Sequence, residues 1–307
     1  MDQHARKRPN RMRRAEAWAA YTCLFPSLVG LICITYLPLL AVFALSLTDW
    51  KGIAAPNFIG LSNYIRLFTK DPYFFDSIKV TVCYAFLSVA GGMLFSLIVA
   101  MLLNRKVPAR GFFRAAFYLP YVLPAMAVYL GWSWLYDYNN GFFNYLLTVL
   151  GQKKVMFLND SALAVPSLSL ISVWLSGNLI VIFLAGLQNV PRVYHEAAEI
   201  DGANWWQRFV NVTLPCMTPI IFYNLLMALV TNMQVITPAL ALTQGGPGNA
   251  TCFISFILYR YAFKSTPSKF GYSCALSAVF FVLIGVFTLL LFATSKKWIF
   301  YEGDDGK

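Results

Sequence analysis

The chain has 307 residues, of which 59% are hydrophobic, 17% aromatic and only 12% charged. A globular chain carries roughly a quarter charged residues, so at half that density most apolar surface cannot face water, and disordered tails, disulfide scaffolds and soluble Rossmann-type enzymes are excluded. The net charge of +11 would suggest nucleic acid in a soluble protein; here the Lys and Arg residues sit at the ends of apolar runs, where membrane topology accounts for them and no nucleic-acid partner is expected.

The first segment, 1–16, is a basic tail with Arg6, Lys7, Arg8, Arg11, Arg13 and Arg14. Six charge-free intervals follow: Ala17–Thr48, Val80–Asn104, Ala115–Tyr136, Ser161–Pro191, Phe209–Tyr259 and Phe270–Ser295. A crossing helix needs roughly 20 apolar residues, and each interval supplies them. The first is far longer than the apolar core of a signal peptide and reads as a retained anchor. The fifth, 51 residues long, is interrupted by Pro215 and Pro219, then by Pro238 and Gly245-Gly246-Pro247-Gly248. One span over Pro219–Leu242 is expected from it, and Phe253–Tyr259 is too short to cross. The expected fold is all-α: six transmembrane helices within 17–295 and a short tail over 296–307. Cys23, Cys33, Cys83, Cys216, Cys252 and Cys274 show no repeated spacing and read as small hydrophobes, not a disulfide framework.

Charge sets the orientation. With the N-terminus in the cytoplasm, the inside segments carry fifteen Lys and Arg residues and the outside segments nine. The strongest bias lies on the first segment, which usually dominates. Both termini are expected inside, and so is the loop 188–217.

That loop is the most informative stretch. It runs from Gln188 through Pro191, His195-Glu196-Ala197-Ala198-Glu199-Ile200-Asp201-Gly202-Ala203 and Trp205-Trp206 to Phe209, Leu214-Pro215 and Pro219. Pro191 suits a helix start, Glu196 to Ile200 are good helix formers, and Gly202 is a natural left-handed stop. A second short helix is expected from Ala203 to a break at Leu214-Pro215. Small alanines let another surface approach closely, and Glu196, Glu199 and Asp201 offer carboxylates to basic groups on it. Trp205, Trp206 and Phe209 are expected under the helices or against a partner, because large rings are costly in water.

The pattern Glu196-Ala197-Ala198-x-x-Asp201-Gly202-Ala203, then Phe209, Leu214-Pro215 and Pro219, resembles the EAA loop of ABC-importer permeases. Further similarities to the sugar-importer branch, of maltose and glycerol-phosphate type, are Phe25-Pro26, Tyr36-Leu37-Pro38, Thr48-Asp49-Trp50, Gly60-Leu61-Ser62-Asn63-Tyr64, Gly141-Phe142-Phe143-Asn144, Leu242-Thr243-Gln244-Gly245-Gly246-Pro247 and Phe270-Gly271-Tyr272. The resemblance implies a type I importer bundle in a bacterial inner membrane. It also implies four kinds of neighbour: a second, similar permease, a pair of ATPase subunits, an external solute-binding protein and membrane lipid. ATP and Mg would sit on the ATPase subunits, with no cofactor in this chain. Glu196, Ala197, Ala198, Asp201, Gly202 and Ala203 would form the contact that passes ATPase closure to the membrane helices.

The chain's own chemistry agrees with a non-catalytic role. It has no Gly-x-x-x-x-Gly-Lys-Ser/Thr phosphate loop. His195-Glu196 lacks the second histidine of a zinc-protease motif, and the other histidine, His4, lies in the basic tail, so no metal site is expected. Asn249-Ala250-Thr251 fits a glycosylation sequon and reads as incidental in a bacterial-type permease. The spans hold almost no internal charge, which disfavours a carrier driven by protons or sodium through membrane carboxylates and suits a neutral cargo. Trp174 and Asn178 lie four residues apart on one helix face, and Asn224, Ala228, Thr231 and Val235 follow a helical spacing with Asn232 beside them. By comparison with maltose-type permeases, Trp174, Asn178, Ala228, Thr231 and Asn232 are the candidate substrate pocket, although such residues also serve to bond neighbouring helices. An importer of peptides or amino acids, and a secondary carrier acting alone, are the competing readings.

Overall fold

In the computed structural model the structure describes residues 10–53, 55–105 and 108–300. The basic stretch Arg6-Lys7-Arg8 and the end of the tail, 301–307, lie outside the described residues. The described chain is helical, with one isolated antiparallel bridge between Thr48 and Phe58. Four helical stretches are long and apolar enough to cross a membrane, and six if each of two bent helix pairs is one span. Six was the expected number.

The chain divides into two units. The first combines residues up to Arg66 with Tyr261–Val279. Helix α1 (Asn10–Gly30) passes through a π-helical segment, Leu31–Tyr36, into α2 (Leu37–Leu45). The π turn precedes Pro38, which lacks an N–H, and lets Leu37 donate to the carbonyl of Ile32 instead. At the end of α2, Asn63 at the start of α3 (Ser62–Lys70) donates 2.8 Å hydrogen bonds to the carbonyls of Ser46 and Thr48. Asp49 accepts from the backbone N–H and side chain of Asn57, which holds its carboxyl below the usual range. Gly271 donates to the Trp50 carbonyl at 2.9 Å, and Trp50 packs on Phe270. Two neighbouring motifs, Thr48-Asp49-Trp50 and Gly60 to Tyr64, and the distant Phe270 to Tyr272 thus form one knot.

The second unit holds Leu67–Arg260 and Phe280–Lys307. Its centre is α4 (Phe74–Asn104), which begins six residues before the expected Val80. Its buried positions include Ala85, Ser88, Gly92, Ser96 and Ala100, small residues at three- and four-residue steps. Between membrane helices, where lipid is as apolar as leucine, such a stripe matters because it lets backbones approach. Ser96 donates to the Ser176 hydroxyl at 2.9 Å across this contact. The lower core is Val99, Ala100 and Leu103 against Ile180, Phe183, Leu184, Leu187 and Met217.

The third and fourth spans are bent, which the charge-free intervals did not reveal. Helices α5 (Arg110–Val122) and α6 (Ala125–Leu135) meet at 99°. Pro124 forces Leu123 into an extended conformation and ends α5 there. Between them and the fourth span, α7 (Phe142–Val149) is anchored by fully buried Asn144, which bonds the Asp137 carbonyl and both backbone groups of Val155. Helices α8 (Ala164–Trp174) and α9 (Gly177–Asn189) meet at 50° around Leu175-Ser176.

After α9 come α10 (Arg192–Ile200) and α11 (Trp205–Arg208). The expected break at Leu214-Pro215 is absent. A π-helical segment, Phe209–Thr213, carries α11 straight into α12 (Leu214–Met233), giving one helical stretch Trp205–Met233. The wider turn absorbs the missing N–H of Pro215, and the Thr218 hydroxyl donates at 2.7 Å to the Pro215 carbonyl that Pro219 cannot serve. The fifth span also ends earlier than expected, at Met233 and not at Leu242. Residues Ala239–Thr243 form a separate π-helical turn behind Pro238. Helix α13 (Ile254–Tyr259) is short, as expected, and α14 (Phe270–Ser295) ends the described helices.

Candidate transport cavity and coupling elbow

Within the second unit, α4, α5, α8, α9 and α12 surround a cavity of about 550 Å³. Its walls include Asn178 from α9 and Asn224, Ala228, Thr231 and Asn232 from α12. Four of the five expected pocket residues therefore line one space. Trp174 does not. Its pairing with Asn178 assumed an unbroken helix, but the 50° bend at Leu175-Ser176 removes the four-residue register. Trp174 instead packs edge-on against Trp132, with ring centroids 5.7 Å apart.

The sequence reading missed Tyr121, Ser172, Ser176 and Tyr223, all of which line the same cavity. Ser172 and Ser176 flank the bend between α8 and α9, and Tyr223 and Met227 repeat the α12 period one position before Asn224 and Ala228. The α12 signal was present in the spacing; the serine pair was not, because the bend at Leu175-Ser176 falls between its members. No lining residue is charged. Asn232 donates to the Ala228 carbonyl at 2.8 Å and accepts from Ser172 at 3.2 Å. Its orientation is thereby fixed from both sides of the cavity. Asn224 is tied to the Ile220 carbonyl at 2.8 Å and is buried.

The loop between α9 and α12 forms an elbow. Pro191 precedes α10, where its missing N–H costs nothing. The helix stops in a Schellman arrangement: Gly202, at φ +75°, donates to the Glu199 carbonyl at 3.0 Å, and Ala203 to the Ala198 carbonyl at 2.9 Å. The next helix opens on a capping box. Asn204 accepts from the Gln207 N–H at 2.9 Å while Gln207 accepts from the Asn204 N–H at 2.8 Å. This Asn-x-x-Gln signal was legible and was missed.

The three acids of the elbow separate. Glu199 forms an ion pair with Arg208 on the far side of the turn, while its side chain stays 60% exposed. Glu196 and Asp201 are exposed and make no ion pair among the described residues. Val193, Ala197 and Ile200 follow a helical period, and Val193 and Ile200 are 69% and 87% exposed. Trp205, Trp206 and Phe209 form a ring cluster, with Trp205 and Phe209 stacked at 6.0 Å. Trp205 and Trp206 remain half exposed, and the Arg105 guanidinium at the end of α4 lies 5.7 Å from the Trp205 ring centre. Beneath the elbow is a smaller cavity of about 240 Å³, lined by Met101, Asn104, Arg105, Leu187, His195 and Arg208 among others.

Comparison with known proteins agrees with this architecture. Residues 92–300 match the family described as binding-protein-dependent transport system inner membrane component. The chain is 37% identical over 300 residues to the probable ABC transporter permease protein YesP of Bacillus subtilis, covering 96% of each chain. It is 31% identical to the trehalose/maltose transport system permease protein MalF of Thermococcus litoralis, over 92% of this chain and 95% of that one. It is 33% identical to the multiple sugar-binding transport system permease protein MsmF of Streptococcus mutans, over 91% and 95%. Among solved structures, it shares its fold with a chain of a bacterial ABC transporter involved in the import of the acidic polysaccharide alginate, with a TM-score of 0.79 at 22% identity over 94% of this chain and 99% of that one. The chain belongs to the family of binding-protein-dependent inner-membrane transport components: it is the integral membrane permease of an ABC importer and not an enzyme.

Proposed function

We propose that this permease carries a sugar or oligosaccharide from an external binding protein, beside a second, similar permease, and is driven by a pair of ATPase subunits that grip the α10–α11 elbow from the cytoplasm. The observation that carries the reading is the uncharged cavity, in which Asn, Ser, Thr and Tyr side chains from α4, α5, α8, α9 and α12 alternate with Leu, Ile, Val, Met and Ala. Amides and hydroxyls bond sugar hydroxyls, and Tyr121 and Tyr223 supply ring faces. A free amino acid would bring an ammonium and a carboxylate, and none of the lining residues offers a counter-charge. Relatives named for trehalose/maltose and multiple-sugar transport favour the same class.

The elbow leads directly into α9 on one side and α12 on the other. A push on it is therefore delivered to Asn178 and to the Asn224–Asn232 face together. Exposed Val193, Ala197 and Ile200 offer an apolar contact, with Glu196 and Asp201 as its acidic edge. ATP and Mg belong to the partner subunits in this reading.

Glu196→Lys is expected to reach the membrane at normal levels yet lose co-purification of the ATPase and all transport. Normal capture and transport in that variant would remove the loop's role. For the cavity, Asn178→Ala and Thr231→Val are each expected to raise the transport KM for the sugar about three- to tenfold, the worth of one neutral hydrogen bond. Binding of sugars, peptides and amino acids to the partner binding protein decides the cargo, and a peptide or amino-acid ligand would overturn the sugar reading.

A further inference from the structure

We propose that Glu199 and Arg208 are a positioning pair that fixes the angle of the elbow, and that Arg105 ties this elbow to α4, so that the loop works as a rigid lever and not as a hinge. The proposal rests on the reading of the loop as the ATPase contact. It starts from a geometric need. The Schellman bonds lock only the end of α10, and the capping box locks only the start of α11. The link between them, Asp201-Gly202-Ala203, contains a glycine with open space around its Cβ position. Nothing in those two local motifs sets how one helix lies relative to the other.

The ion pair closes that gap, because Glu199 precedes the glycine turn and Arg208 follows it. The two side chains differ in exposure, 60% for Glu199 and 24% for Arg208. The Arg208 side chain is thus largely withdrawn from water, in the wall of the 240 Å³ cavity that Trp205, Phe209, Leu187, His195 and the like-charged Arg105 also line. A charge in such a place is costly without a partner, so the pairing is enforced more strongly than in a fully exposed bridge. Arg105 then reaches the stacked Trp205–Phe209 rings from the end of α4. Since α4 also lines the transport cavity, through Ser88, Val89 and Gly92, the lever is joined to a third wall besides α9 and α12. Glu199 accordingly belongs to the internal frame, while Glu196 and Asp201 remain for the partner.

The test uses the full chain in lipid nanodiscs, with spin labels at Val193 and Val210, both exposed and on opposite arms of the elbow. The wild-type chain should give one narrow distance distribution. Glu199→Arg and Arg208→Glu should each broaden or shift it, and the double exchange E199R/R208E should bring the narrow distribution back. Arg208→Met, which keeps the apolar stem, should broaden it without disturbing membrane insertion. In the assembled transporter the single variants should still capture the ATPase subunits while ATP hydrolysis stimulated by the binding protein falls about tenfold, within the usual range of a coupling energy. Unchanged distances in the single variants, or a double exchange no better than either single, would overturn the brace. Loss of ATPase capture in Glu199→Arg that the double exchange fails to restore would also overturn it, because Glu199 would then be a docking acid. A wild-type chain that never captures the ATPase would instead remove the reading of the loop, whatever the label distances show.

Discussion

Gly202→Val is expected to reduce transport and ATP hydrolysis stimulated by the binding protein by about tenfold or more while leaving the amount of chain in the membrane unchanged. Gly202 sits at φ +75°, and no heavy atom lies within 4 Å of the position a Cβ would take. The penalty is therefore one of backbone conformation and not of crowding. A left-handed conformation costs an ordinary residue roughly 1–2 kcal/mol, and more with a branched Cβ, where each 1.4 kcal/mol or so is a factor of ten. Valine can escape only by unwinding the Schellman turn, which gives up the bonds from Gly202 to Glu199 and from Ala203 to Ala198. Asparagine tolerates the left-handed region, so Gly202→Asn should keep most activity, with Gly202→Ala between the two. Transport, stimulated hydrolysis and ATPase capture, measured on all three variants, check the order. Equal activity of the Val and Asn variants would show that the turn does not depend on this conformation.

The ease with which that glycine was found, against the difficulty of the cavity, shows what the sequence makes legible. Membrane spans are written in charge-free length, because an unpaired charge in hydrocarbon is costly, and the four long helices and two bent pairs all fall on intervals read in that way. Gly202 and Pro191 were legible for a similar local reason: each residue type restricts its own backbone. Bends were not. The 50° turn between α8 and α9 arises at Leu175-Ser176, where no proline stands, and it moved Trp174 out of the cavity that Asn178 lines. Nor did Pro215 break its helix, since the preceding residues took up a π turn that absorbs the missing N–H, as another does before Pro38. The Glu199–Arg208 pair was hidden because eight residues and a turn separate its members; spacing alone could not say that the two arms fold back within reach. Asn-x-x-Gln at the start of α11 and the Tyr223–Met227 step on α12 were readable by rule.

Gly177→Ala is expected to lower the thermal stability of the detergent-solubilised chain well below that of Gly186→Ala, although both glycines are buried on α9. At Gly177 an added Cβ would collide with the carbonyl oxygen of Phe117 and come within 3.0 Å of the Tyr118 Cα, both backbone atoms of α5. Backbone cannot rotate away, so α5 and α9 must part, and overpacking of this kind costs roughly 1–3 kcal/mol. At Gly186 the nearest atom is the Cδ1 of Ile220 at 2.7 Å, the end of a side chain that can change rotamer. The same methyl group thus meets a rigid neighbour in one case and a yielding one in the other. The damage at Gly177 should reach function as well if the 550 Å³ cavity is the proposed transport path, because Asn178, the next residue, and Tyr121 on α5 both line it. Gly177→Ala should therefore show both a lower melting temperature and a raised transport KM, whereas Gly186→Ala should keep a KM close to wild type. If the two variants melt alike, the close α5–α9 crossing is not what holds the fourth span at its bend, and the wall of the cavity must be fixed elsewhere.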